Sequence, residues 1–369
     1  MPESKNKPNS DCDAIFIGWQ KKNEEDIFPL FNVTVADHPL YHSTVSEATL
    51  RRLHLRIPQT SSPYPETTPA PWHDLGIRLN HPKTARETIE MAGLNYTVVK
   101  KPLLSRPGAY ITVRTDNGDI LGVVNSGYKP IQNIDAFTFF DSLIADNEAT
   151  YETAGVLGKG ERIWILARLS GDINVHGNDI VSKYLLLTNS HDGSPQVQVK
   201  ITPIRLACNN TLTSALLGAG DISICHEPNT GTYLKQASTL LGLSNALYDQ
   251  LEVMFNDMAN TKIAPDQLRK YVQALVPNNE ELENTARTEN IRNSVLNLHD
   301  SGRGAHLARG TVWGAFNSVA EYTDYMMSDE DTDTRLHSIW FGGGEQLKVK
   351  AFSLARRLMG PEGYRAPAL

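Results

Sequence analysis

The chain has 369 residues, 40% hydrophobic and 21% charged, with a formal net charge of −7. That is enough chain for two domains or one large domain with appendages, and the acidic balance argues against coating duplex DNA through bulk charge while leaving room for a local basic groove. No stretch approaches the roughly 18 apolar residues of a membrane span, and MPESKNKPNSDCD lacks the apolar core of a signal peptide, so no membrane partner and a cytoplasmic location are expected.

Residues 1–57 read as a small N-terminal α/β module. DAIFIGWQ alternates like a strand, and Ser46 can cap a short helix that follows. Residues 58–71, within IPQTSSPYPETTPAPW, form a proline-rich linker. Residues 72–231 read as an antiparallel sheet plus helix. A helix is expected over Ala85–Ala92 and a strand over Leu94–Lys101. Two alternating strands surround Asn117-Gly118, a strong hairpin signal. Asn133–Ala145 reads as a helix with Ala136, Phe137, Phe140 and Ile144 on one face. YETAGVL and RIWILARL form a second hairpin, Tyr184–Leu206 a third, and DISIC at 221–225 can close the sheet. Residues 232–369 are mainly helical, with helices expected at 280–298, 311–327 and 345–359. The fold class is therefore α+β: a hairpin-built antiparallel sheet with an intervening helix, followed by a C-terminal helical layer.

Alternation carries the main functional expectation. In RIWILARL, Arg162, Trp164 and Arg168 share one face; in QVQVKIT, Gln198, Lys200 and Thr202 share another. With Lys159 and Arg205 flanking, such a face can grip single-stranded nucleic acid, cations on phosphates and a ring under a base. The alternative is a solvated face, ordinary in antiparallel sheets. Lys348, Lys350, Arg356 and Arg357 in LKVKAFSLARRL either contact phosphate as well or complement a helix C-terminus. Gly342-Gly343-Gly344 before a helix has no Walker ending and reads as a connection.

The turn His191-Asp192-Gly193-Ser194 and the segment Cys208-Asn209-Asn210-Thr211 concentrate polar groups. They are read as a structural polar cluster of His191, Asp192, Cys208 and Asn210, since Asp-Gly is ordinary turn chemistry. The competing reading makes His191, Asp192 and Cys208 the machinery of an enzyme acting on nucleic acid or nucleotides. Cys12, Cys208 and Cys225 lack C-x-x-C spacing, and the pair Cys225-His226 has no recognised ligand spacing, so neither a metal nor a cofactor is expected and no catalytic residue is assigned.

The stretches WHDLG, GYKPIQNIDAF, TAGVLGKGERIWILARL, TNSHDGS, TPIRLACNNTL, GTVWGAFNSVAEYTDY and FGGGEQLKVKA, in this order from Trp72 to about Leu358, resemble a family of phage/plasmid-like proteins carrying a domain of unknown function. The N-terminal module looks like a short protein also found in mobile elements, fused here as an accessory. The resemblance implies a prophage or plasmid context and no catalytic residue. By fold-level analogy alone, the plan is similar to that of recombination single-strand annealing proteins. The expected function is thus a cofactor-free, single-strand DNA-binding or annealing protein of a mobile element, working as a homo-oligomer. The alternatives are a protein-interaction or structural protein and the enzyme above.

Overall fold

The computed structural model describes residues 76–80, 82–194, 197–212, 222–223, 230–278, 285–327 and 332–360. The N-terminal module, the proline-rich linker, Cys12, Cys225 and His226 lie outside the described residues.

After strand β1 (Ile77–Arg78) comes helix α1 (Ala85–Met91). Thr84 caps it by accepting from the Glu87 N–H at 3.2 Å, while the Glu87 carboxylate accepts from the Lys83 N–H just ahead of the cap. Strands β2 (Val98–Pro102), β3 (Tyr110–Arg114) and β4 (Ile120–Val124) form a separate three-stranded antiparallel sheet. Gly118, at φ +79°, supplies the left-handed residue that the Asn-Gly turn between β3 and β4 requires.

The expected helix over 133–145 is present only at its end, as a 3-10 turn (Thr138–Phe140) running into the short helix α2 (Asp141–Ala145). Asn133 is the physical reason. Its amide donates to the Leu94 carbonyl and its Oδ1 accepts from Asn189, anchoring the backbone to two other segments.

The large sheet follows: β5 (Ala149–Leu157), β6 (Arg162–Val175), β7 (Asp179–Ser190), β8 (Gln198–Ile201), β9 (Ile204–Arg205), β10 (Asn210–Thr211) and β11 (Ile222–Ser223). Its order is β1-β5-β6-β7-β8-β11, with β9 and β10 attached beside the start of β7; every pairing is antiparallel and the sheet curls into a half-barrel. The strand expected at 221–225 is the edge strand β11.

Helices complete the chain: α3 (Thr230–Asn260), α4 (Pro265–Leu275), α5 (Thr285–Ser301), α6 (Ala305–Ala308), α7 (Val312–Tyr325), α8 (Thr332–Phe341) and α9 (Gly343–Leu358). The α+β class with helices after the sheet is as the sequence pattern implies; α8 is an element that pattern did not reveal. No described helix is long and apolar enough to cross a membrane.

The core lies on one face of the large sheet. Ile163, Ile165, Leu185, Leu187 and Val199 pack there with Phe137 and Phe140 at the two ends of the 3-10 turn and with Leu240, Leu251 and Phe255 from α3. Tyr248 of α3 locks the contact, its hydroxyl meeting both the N–H and the carbonyl of Tyr184.

Candidate nucleic-acid interface

Strand register does place Arg162, Trp164, Arg168 and Lys200 on one face of the large sheet. Arg162 pairs with Ser190, Trp164 with Thr188, Arg168 with Tyr184, and Lys200 with Leu186. The expectation that this face is open is corrected, because α8 and the start of α9 cover it. Trp164 is 1% exposed and meets Trp340 edge to face at 5.1 Å. Gly155 and Gly76 lie beneath its ring; a Cβ on Gly155 would stand 2.6 Å from Trp164 Cζ2. Trp164 therefore has no face free to stack on a base. Lys200 is buried, and its Nζ donates to the Trp340 carbonyl at 2.9 Å and to Glu345 at 3.0 Å.

Arg162 is half-buried. It donates to the hydroxyls of Ser190 (2.8 Å) and Ser194 (3.0 Å), and its guanidinium lies 4.2 Å above the Phe341 ring, which Lys200 also approaches at 4.8 Å. Arg168 pairs with Asp172 at 3.2 Å near the Tyr184–Glu152 hydrogen bond of 2.7 Å. Burial raises the Glu152 carboxyl above its ordinary range, against the lowering effect of that hydrogen bond. Arg205 belongs to the opposite face at the far end of β7, opposite Val181. It is buried against Asp179 at 2.7 Å, donates to the Gly304 carbonyl and lies over Trp313, whose Nε1 donates to the same Asp179. Of Lys159, Arg162, Arg168, Lys200 and Arg205, only Lys159 is exposed; its carbonyl accepts from Arg114 at 2.8 Å.

The proposed enzyme set does not assemble. Arg205, three residues before Cys208, pairs with Val181, nine positions from the end of β7 that leads into His191, roughly 30 Å along the strand. His191 Nε2 meets Asn133 Oδ1 at 2.8 Å, and burial pushes its pKa down to about 4. Asp192 turns away and accepts from the Ser194 N–H at 2.9 Å, the local bond of an Asx turn. Cys208 sits beside Arg205, its thiol pushed up to about 11 by burial. Asn210 donates to the Asn317 carbonyl at 3.1 Å on α7. Among the described residues, no three His, Cys, Asp or Glu side chains gather to hold a metal ion.

The strands of the small sheet are predicted from the sequence, but its cations are not among the predicted site residues. Residues 94–130 carry Lys100, Lys101, Arg106, Arg114 and Lys129 against only Asp116 and Asp119, a positive segment in a chain of net charge −7. The run KKPLLSRP held the signal, as cations and apolar residues interleaved with two prolines. One side of the sheet is anchored: Thr112 donates to the His191 carbonyl at 2.6 Å, and Gly122 lies so close to Asp192 that a Cβ would stand 2.5 Å from its Cα. Lys100 donates to the carbonyls of Ser126 and Tyr128 and covers the Tyr110 ring at 4.8 Å. Arg114 stacks 3.8 Å from the Tyr96 ring and pairs with Asp116. The other side faces outward, with Ile120 54% and Val123 42% exposed. Leu104, at the β2–β3 tip, is 95% exposed.

A family described as "Domain of unknown function (DUF932)" matches residues 120–340, more than half of the chain. The chain belongs to this family. The DUF932 segment runs from β4 through most of α8, so it includes the large sheet apart from β1, the covered cations Arg162 and Lys200, and the helix that covers them. Strands β2 and β3 and the Leu104 tip precede it. No curated protein and no solved structure matches the chain.

Proposed function

We propose that this DUF932 protein binds single-stranded nucleic acid without a cofactor and makes contact through its small sheet rather than through the β6–β8 strip. The observation that carries the reading is local charge: five cations against two carboxylates over 94–130. Strand binding depends on where the cations sit, not on the sum over the chain. The exposed Lys101, Arg106 and Lys129 are placed to meet phosphates. The resemblance to phage and plasmid proteins supplies a setting, recombination or annealing in a mobile element, in which the protein works as a homo-oligomer. The enzyme reading loses its support because His191, Asp192 and Cys208 occupy separate networks.

The test is anisotropy of labelled single-stranded and duplex oligonucleotides with the full chain across a salt series. Expected are single-strand binding at low salt that weakens steeply as salt rises, and weak duplex binding. The double variant Lys101→Ala/Arg106→Ala should bind more weakly and lower the salt slope by about two phosphate contacts. Absence of single-strand binding at low salt overturns the reading.

A further inference from the structure

We propose that Leu104 is an apolar wedge that enters a base step at the edge between single-stranded and duplex DNA. The proposal rests on the strand-binding reading above and names the DNA structure it prefers.

The tip is built to hold a leucine out in water. The Leu103 N–H donates to the Ala109 carbonyl, the Arg106 N–H to that of Leu103, and the Ala109 N–H to that of Arg106. Two linked turns therefore close the hairpin, with Leu104 at an outward position of the first. Pro102 and Pro107 restrict the chain on either side, and Gly108, at φ +83°, supplies the left-handed residue that completes the return. Lys100, bonded to Ser126 and Tyr128, ties the base of the hairpin to the next loop. Leu104 is thus presented on a stiff support.

Charge selects the partner. Every charged residue at the tip end of the small sheet is a cation: Lys100, Lys101 and Arg106. Asp116 and Asp119 lie at the opposite end, beyond the five-residue strand β3, roughly 15 Å away. An exposed leucine between exposed cations has the chemistry of side chains that unstack a base step while basic neighbours hold the flanking phosphates. A leucine has no ring on which to stack a continuous single strand. It can instead fill the gap where a base pair ends, which makes a junction the fitting substrate.

The test uses the full chain, a single-strand/duplex junction carrying 2-aminopurine at the terminal step, and single-stranded and duplex controls of equal length. The wild type should favour the junction by about tenfold over the single strand and raise the 2-aminopurine fluorescence as the step opens. Leu104→Ala and Leu104→Ser should keep single-strand binding and lose both the preference and the fluorescence rise. Their melting temperatures should equal that of the wild type, because so exposed a side chain packs on nothing. Wild type that binds strands with no junction preference, or variants that keep it, overturn the wedge and leave the strand-binding reading intact. Wild type that binds no oligonucleotide overturns both. If Leu104→Ala dissociates an oligomer without changing the junction signal, the tip is a contact between copies and the wedge is overturned.

Discussion

Lys348 and Asp324 form an ion pair at 2.8 Å with side-chain exposures of 0% and 1%. Both partners also hold Thr211: Lys348 donates to its carbonyl and hydroxyl oxygens, and Asp324 accepts from its N–H and hydroxyl. One residue of β10 is thereby bound to α7 and α9 at once. The sequence reading placed Lys348 among candidate phosphate contacts or helix-terminus cations. Its burial makes it a tie between sheet and helices.

Removing one partner leaves the other charged and dry. Lys348→Met or Asp324→Leu alone should each cost about 3–5 kcal/mol of stability, measured by denaturant unfolding. The double replacement Lys348→Met/Asp324→Leu should recover much of that loss, because no unpaired charge remains. A double variant as unstable as the sum of the two singles would show that Lys348 and Asp324 are not coupled, and would overturn this account.

Arg205 uses the whole guanidinium fork: Nε on Asp179, Nη2 on the Gly304 carbonyl and Nη1 toward the Cys208 sulfur. A lysine carries the same charge on a point donor and cannot span these directions. Arg205→Lys should therefore destabilise by about 2–3 kcal/mol, in the range for weakening charged hydrogen bonds in a buried site. Strand binding by the folded fraction should be unchanged. A loss of binding with unaltered stability would return Arg205 to the interface.

Trp164 should act on folding rather than on ligand. Its ring fills the space between Gly155 and Trp340, so Trp164→Ala should cost about 3–5 kcal/mol through the cavity it leaves. Gly155→Ala should cost about 1–3 kcal/mol by forcing a methyl into that ring. Thermal or denaturant melts read both changes. Saturating oligonucleotide should leave the indole's local environment unaltered, which a single-tryptophan variant retaining only Trp164 would report by fluorescence.

The strands were legible because their signals are local. Alternation in RIWILARL and the Asn117-Gly118 turn act over a few residues, and both strand faces came out with the right parity. Whether the polar face is wet depends on contacts that local patterns cannot carry. Trp340 reaches Trp164 across a long stretch of chain, and RLHSIWF holds no mark of the surface it will cover. The same limit explains the turn at His191 and Asp192. The chain alternates there, so the two neighbours join different networks although they adjoin in sequence. The basic tip at KKPLLSR was legible in the run itself. Two prolines and a turn interrupt the strand pattern there, so period-two alternation does not mark it as a face.

His191 carries a pH prediction whose sign follows from burial. Its imidazole lies among Asn133, Asn189 and the edge of Tyr96, and burial lowers its pKa to about 4 despite the opposing charge of Asp192. In the unfolded chain a histidine titrates near 6.5. As pH falls, the unfolded state takes up the proton first, so the stability held by neutral His191 is full above about pH 6.5 and lost as pH falls toward about 4. The loss amounts to at most about 3 kcal/mol. Asp141, Glu152 and Glu321 oppose it: burial raises their pKa values, so the folded state binds their protons more readily and gains as pH falls through the raised values. A wild-type melt alone mixes the two effects, and the difference from His191→Gln separates them. The advantage of the wild type in melting temperature over this variant should be largest near pH 7 and should shrink steadily down to pH 4. A difference that stays constant across that range would mean that His191 is not held neutral in the folded protein.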